Sequence, residues 1–155
     1  MPKQHDITSA REMDVLYRES DKLYYELARN CGLSETAYWI LYAIEVSGGS
    51  ITQREIASNF SYSKQTVNSA LKTLEARGLV ELDYVEGSRK SKLVSLTPSG
   101  RAFSDERIRP AIAAEDRAFL SLAPEERLEL LRLVSAYTEA IDRELAKLKE
   151  GECDR

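Results

Sequence analysis

Histidine and cysteine are almost absent from this chain, whose 155 residues include one histidine and two cysteines. The histidine, His5, lies in a polar N-terminal segment, so a zinc site or a histidine general base has few residues to use. Cys31 and Cys153 are too far apart for a CxxC motif, and we expect both to be free thiols. The sequence also lacks a glycine-rich phosphate loop and a Ser/His/Asp set. These absences argue against an enzyme and predict neither a metal nor a cofactor.

Long apolar runs are missing too. No stretch approaches the roughly 20 apolar residues that span a membrane, and the N-terminus has no apolar signal core. The composition, 43% hydrophobic and 31% charged, is ordinary for a globular protein. We therefore expect a cytoplasmic protein with no membrane partner, built as one domain or as one core with helical extensions.

Acidic residues are absent from two windows, residues 56–74 and residues 87–104, although the chain contains 26 of them. At the average frequency the first window would hold about three, and a solvated face normally mixes both signs. Residues 61–92 carry six Lys and Arg against four Asp and Glu, whereas the net charge of the chain is −4. A local basic surface on an acidic protein is compatible with DNA binding, because phosphates respond to the local field.

The first acid-free window contains an amphipathic helical pattern. Its apolar residues recur at the spacing of one buried helical face: Val67, Ala70, Leu71 and Leu74. The opposite face carries amides, hydroxyls and lysines: Lys64, Gln65, Asn68, Ser69 and Lys72. Side chains of these types suit base edges and phosphates. The alternative is a polar surface helix that lacks acids by chance.

The neighbouring elements predict a winged helix-turn-helix. Thr52 and Glu55 have the spacing of a capping box that opens a short helix over residues 53–60. After a three-residue break, Ser63 is placed to cap the helix described above. Strand-like alternation over residues 79–85 and 92–96 then predicts a hairpin, the wing. Two helices, at about residues 11–30 and 35–46, precede this unit.

The last third reads as helical. One helix is predicted from Thr97 to about Leu122, kinked or split by Pro110, and another begins at Pro124. The second helix carries apolar residues at coiled-coil spacing, interrupted only by Thr138. With two leucines of the first helix they form the predicted dimer interface: Leu16, Leu23, Leu131, Val134, Ile141, Leu145 and Leu148. The alternative is packing within one subunit.

This order of elements resembles the MarR family of bacterial transcriptional regulators over residues 15–148. The resemblance rests on residues 51–57 (ITQREIA), 63–68 (SKQTVN), 74–80 (LEARGLV) and 93–100 (LVSLTPSG). It implies a mainly α fold: a winged helix-turn-helix with flanking N- and C-terminal dimerisation helices. The expected organisation is a disordered N-terminus (1–10), an N-terminal dimerisation helix (11–34), a DNA-binding domain (35–100), C-terminal dimerisation helices (101–150) and a tail (151–155).

The resemblance also implies a homodimeric repressor on a pseudo-palindromic, double-stranded DNA operator. Its recognition helices would lie in major grooves and its wings, around Arg89 and Lys90, would reach minor grooves. The predicted DNA-binding residues are Ser63, Lys64, Gln65, Thr66, Asn68, Ser69, Lys72, Arg89 and Lys90. The Asp-x-Arg that the family usually carries in the wing is replaced here by Ser88 and Lys90, with Arg89 between them. In many relatives a small ligand or an oxidant releases the DNA.

Three further interpretations stay open at this point. Cys31 is the candidate thiol for a redox-sensing regulator, with an inert thiol as the alternative. A cluster of aromatic residues in the first two helices is compatible with a ligand pocket, although aromatics at helical spacing are more often core: Tyr17, Tyr24, Tyr38, Trp39 and Tyr42. A winged helix used only for protein contacts would show no affinity for DNA.

Overall fold

The computed structural model describes residues 9–88 and 92–152. In these residues seven helices and three short strands follow one another: α1 (Ala10–Asn30), α2 (Glu35–Val46), β1 (Ser50–Thr52), α3 (Gln53–Asn59), α4 (Lys64–Ala76), β2 (Val80–Tyr84), β3 (Lys92–Leu96), α5 (Pro98–Arg107), α6 (Arg109–Leu120) and α7 (Pro124–Glu152). The mainly α winged helix-turn-helix is confirmed. Helix α1 includes Ala10, and α7 continues to Glu152, so both helices extend slightly into the predicted termini.

Side-chain caps begin the helices that surround the turn. The Ser34 hydroxyl accepts from the Ala37 amide at the start of α2, and the Ser63 hydroxyl accepts from the Thr66 amide at the start of α4. Thr52 and Glu55 form a reciprocal capping box on α3. The predicted capping box and the predicted Ser63 cap are confirmed, and all three caps satisfy amides that have no partner within the helix.

The strands form one antiparallel sheet in the order β1-β3-β2. The predicted wing hairpin is confirmed, with Val80 opposite Leu96 and Leu82 opposite Val94. Strand β1 was not predicted, because three residues are too few to show an alternating pattern. It adds Ile51 opposite Val94, and both side chains are buried.

The core of the winged unit lies between α2, α3, α4 and the sheet. Its largest buried aliphatic side chains come from α2 and α4, and one comes from α3: Ile40, Leu41, Ile44, Ile56, Leu71 and Leu74. The predicted inner stripe of α4 is buried. Consequently the opposite face of α4 is directed away from the core.

Two glycines lie at the connections on either side of the wing, one between α4 and β2 and the other in the first turn of α5. Gly78 has φ +67° just after α4, a conformation that costs a glycine little. Gly100 packs so closely on the backbone of Leu79 that a Cβ atom would lie 1.7 Å from the Leu79 carbonyl oxygen.

The chain divides into two compact units, one ending at Ala111 and the other starting at Ile112. The helix predicted to run from Thr97 to Leu122 is split: α5 ends at Arg107, and α6 begins at Arg109. Pro110 has no N–H to donate and therefore sits in the first turn of the second helix. In the second unit, α7 is a single helix whose first turn contains Glu125 and Glu126.

Candidate nucleic-acid interface

The outer face of α4 brings five of the predicted DNA-binding residues together. They line one shallow depression of about 530 Å³: Lys64, Gln65, Asn68, Ser69 and Lys72. None of them is acidic, so the depression combines positive charge with amide and hydroxyl groups that donate and accept hydrogen bonds. A surface of this composition can contact both phosphates and base edges.

Side-chain contacts are found at both ends of α4. At its start the Ser63 Oγ and Thr66 Oγ1 atoms lie 2.8 Å apart, so both predicted site residues also take part in capping. At its end the Arg77 guanidinium donates to the Gly32 carbonyl oxygen over 2.7 Å and lies 5.5 Å from the Phe103 ring centroid. The Arg77 contacts thus connect the end of α4 to the turn after α1 and to α5.

Asn68 differs from its neighbours on this face because it is half-buried and has a side-chain partner. The side-chain amide of Gln53 donates a hydrogen bond to Asn68 Oδ1. Gln53 is the first residue of α3, fifteen positions earlier. Sequence reasoning missed this pair, since periodicity within one helix carries no information about its neighbours on another.

A groove rich in hydroxyl groups, of about 410 Å³, lies between the N-terminus of α2 and α4. Ser34 and Thr36 face Gln65, Ser69 and Thr73 across it. Thr36 and Thr73 were not predicted as site residues. A hint was present in the sequence, because hydroxyls at a helix start are common phosphate contacts.

A third concavity, about 460 Å³, lies between α3, α4 and the wing. Its described lining contains three cations, Arg54, Lys64 and Lys92, and no carboxylate. Ser88, in the turn between β2 and β3, also lines it. Arg54 and Lys92 are thus basic residues of the interface that sequence reasoning did not select.

The tip of the wing contains two predicted contacts, Arg89 and Lys90, which lie outside the described residues. The strands that lead to it are described: Gly87 has φ +77°, and the Ser88 amide donates to the Val85 carbonyl oxygen over 2.9 Å. On β3 the Lys92 ammonium lies 6.0 Å from the Tyr84 ring centroid.

The thiol of Cys31 is half-buried at the C-terminal end of α1. Burial raises the pKa of Cys31, and the nearby Arg107 guanidinium offsets that rise only in part. A reactive sensor thiol needs the opposite shift, since the thiolate is the nucleophile. This environment favours the inert thiol. Cys153 lies outside the described residues.

The aromatic residues of α1 and α2 pack mainly against one another. The Trp39 ring centroid lies 4.8 Å from that of Tyr24, 5.4 Å from that of Tyr38 and 5.9 Å from that of Phe60. Tyr38 is fully buried, whereas Tyr17 is exposed. The cluster therefore contributes to the core between α1, α2 and α3.

Across residues 9–88 and 92–152, no group of three His, Cys, Asp or Glu side chains is placed to hold a metal ion. No helix in that part of the chain is both long and apolar enough to cross a membrane.

Comparison with known proteins gives one consistent answer. Residues 32–90 match the model of the MarR family. The HTH-type transcriptional repressor NicR of Pseudomonas putida is 28% identical over 118 residues, which are 76% of this chain and 74% of that protein.

Two solved structures share the fold. NMB1585, a MarR family regulator from Neisseria meningitidis, superposes with a TM-score of 0.76 at 23% identity, covering 91% of this chain and 99% of that one. A putative MarR family regulator from Listeria monocytogenes, complexed with 26mer DNA, superposes with a TM-score of 0.69 at 21% identity, covering 94% of this chain and 96% of that one. Over residues 32–90 the chain is thus similar in sequence to the MarR family, and it shares its fold with solved MarR family regulators.

Proposed function

We propose that this protein is a homodimeric repressor that binds a pseudo-palindromic DNA operator, with α4 of each subunit in a major groove. One observation carries the proposal: the outer face of α4 collects amides, hydroxyls and lysines in a single depression lined by no carboxylate. A B-DNA major groove admits an α-helix and presents a distinct donor and acceptor pattern for each base pair.

The side chains divide by chemistry into two roles. Gln65, Asn68 and Ser69 contact base edges, since amides and hydroxyls both donate and accept. Cations and hydroxyls around them contact phosphates and set the orientation of the helix: Ser63, Lys64, Thr66, Lys72, Arg54 and Lys92. Arg89 and Lys90 of the wing tip reach the flanking minor groove.

The second copy is needed to read two half-sites. Helices α1 and α7 each carry apolar side chains that are 38% to 68% exposed, among them all seven predicted dimerisation residues: Leu16, Leu23, Leu131, Val134, Ile141, Leu145 and Leu148. Thr138 interrupts the row on α7, but its hydroxyl donates to the Val134 carbonyl oxygen over 2.9 Å. It therefore brings no unsatisfied polar group to an interface.

We propose repression rather than activation because NicR, a relative of this chain, is named a repressor. Such a protein acts where the chromosome lies, in the cytoplasm. Release by a small-molecule effector stays a prediction. Release by oxidation of Cys31 is disfavoured, because burial raises the pKa of its thiol.

The test is the salt dependence of binding to an operator selected from bound genomic fragments. DNA affinity should fall steeply with salt, and Lys72→Ala should lower the slope of log K against log salt by about one. Lys147→Ala serves as the matched control, because Lys147 pairs with Glu144 on α7, in the other unit. Affinity that is absent or independent of salt would favour the protein-contact module instead.

A further inference from the structure

Gln53 and Asn68 form an amide pair that connects the two helices of the helix-turn-helix. The Gln53 side-chain NH₂ donates to Asn68 Oδ1, and both residues are half-buried. Together they line a cavity of about 190 Å³ with Leu71 and Leu82 and with three charged side chains, Lys72, Glu75 and Lys92. Asn68 lines the outer depression of α4 as well. Its amide therefore stands between the core and the surface proposed to meet DNA.

The hydrogen bond decides which end of the Asn68 amide faces outward. An unconstrained asparagine amide can rotate by half a turn and present either its oxygen or its NH₂ group. Here the oxygen is engaged by Gln53. The NH₂ group is therefore the end of the amide that Gln53 does not engage.

We propose that Gln53 is a positioning residue for base readout, which makes Asn68 a hydrogen-bond donor toward the major groove. This inference rests on the proposed function, in which α4 lies in that groove. A donor selects acceptor atoms, and guanine presents two of them there, N7 and O6. Adenine is read by asparagine through the oxygen and the NH₂ together, so it is favoured less. We accordingly expect Asn68 to prefer guanine, which offers two acceptors, over adenine and thymine, which offer one each, and over cytosine, which offers none.

Two substitutions at Gln53 have different expected effects. Gln53→Ala removes the partner and lets the Asn68 amide rotate, so the preference for guanine is lost. Gln53→Glu keeps the size of the side chain but leaves it only acceptors at neutral pH. The carboxylate then accepts from the Asn68 NH₂ group, which turns the Asn68 oxygen outward and favours bases with an exposed amino group, adenine or cytosine.

The experiment measures the dissociation constants for the four base pairs at each operator position, for the full-length protein and its variants. Asn68→Ala should reduce discrimination about 5- to 150-fold at one base pair. Gln53→Ala should reduce discrimination at the same base pair. The double variant should lose no more discrimination than Asn68→Ala alone. Gln53→Glu should switch the preferred base while lowering overall affinity. Arg54→Ala, the neighbouring control, should weaken binding equally for all sequences.

The outcomes separate the two proposals. If Asn68→Ala relaxes one base pair while Gln53→Ala and Gln53→Glu leave the profile unchanged, the positioning role is overturned and DNA reading by α4 stands. If the wild-type protein binds DNA without base preference, both are overturned. Thermal melting identifies a variant that does not fold. If Gln53→Ala does not fold, Gln53→Glu by itself tests the positioning role, because its side chain is similar in shape to that of the wild-type residue. Loss of folding would not produce a switch in base preference.

Discussion

Gly100 is the residue at which the fold leaves least room for a side chain. An added Cβ atom would lie 1.7 Å from the oxygen and 2.7 Å from the carbonyl carbon of Leu79. Both are backbone atoms at the start of the wing, so relief requires moving a strand or α5. The glycine of the family-like Leu-Thr-x-x-Gly segment is therefore explained by close packing rather than by a left-handed turn.

Gly100→Ala should lower the free energy of unfolding by about 3 kcal/mol or more, because the collision involves main chain. Urea denaturation measures the change. Gly87→Ala is the matched control: it has open space around a Cβ atom but φ +77°, so only about 1 kcal/mol of backbone strain is expected. Equal losses in the two variants would contradict the packing argument.

Cys31 should react slowly with iodoacetamide in the folded protein. Burial raises the pKa of its thiol, so the thiolate fraction at pH 8 lies below that of a free thiol. Alkylation followed by mass spectrometry, with Cys153→Ser to isolate the site, gives the rate. DNA affinity should be the same before and after peroxide treatment. A fast reaction coupled to loss of DNA binding would restore the redox hypothesis.

At the scale of elements, the helix-turn-helix is held by contacts that begin and end its helices. The capping box defines the start of α3, and Ser63 defines the start of α4. Arg77 then fastens the end of α4 to the Gly32 carbonyl oxygen. If α4 reads DNA as proposed, these contacts preorganise its polar face and so limit the entropy lost on binding.

The capping box makes α3 sensitive to acid. Hydrogen bonds from the Thr52 hydroxyl and amide lower the pKa of Glu55 below its ordinary value of 4.5. The resulting stabilisation is present above the ordinary pKa and is lost as the pH falls through the lowered one. Glu55→Ala should therefore reduce the melting temperature at pH 7 and do so progressively less below about pH 4.

The control for that series is Glu86→Ala in the wing turn, where the carboxylate is exposed. Its effect on the melting temperature should be small at every pH. A deficit of Glu55→Ala that stayed constant down to pH 2 would show that the carboxylate charge contributes nothing to the cap.

At the scale of the whole molecule, α1 and α7 each carry a row of exposed apolar side chains. Single exposed leucines are common on protein surfaces, but a row of them along one helix is typical of a helix that packs against a partner. The dimer proposal assigns these rows to a second copy of the chain. It also supplies the pairing of recognition helices that a two-fold operator requires.

Leu131→Glu should raise the dimer dissociation constant about 100-fold or more. In a two-fold interface the residue occurs twice, and each buried leucine contributes at least about 1.5 kcal/mol. Analytical ultracentrifugation measures the association, and operator affinity should fall with it. Val46→Glu, an equally exposed apolar position at the end of α2, is the control. A wild-type protein that is monomeric at all concentrations would refute the proposal.

The amino-acid sequence by itself determined the local features: the amphipathic face of α4, the caps at Ser34, Thr52 and Ser63, and the wing hairpin. Each depends on residues that are close together in the chain, because helical and strand periodicity and capping act within a few residues. The acid-free windows also indicate the candidate nucleic-acid interface.

Only the tertiary structure decided which distant side chains meet. It placed Gln53 on Asn68, gathered Arg54 with Lys92 beside α4, paired β1 with β3, and buried Cys31 enough to raise the pKa of its thiol. These contacts join elements far apart in the chain. Periodicity reports which face of an element is buried, whereas the identity of its neighbour depends on how the elements pack.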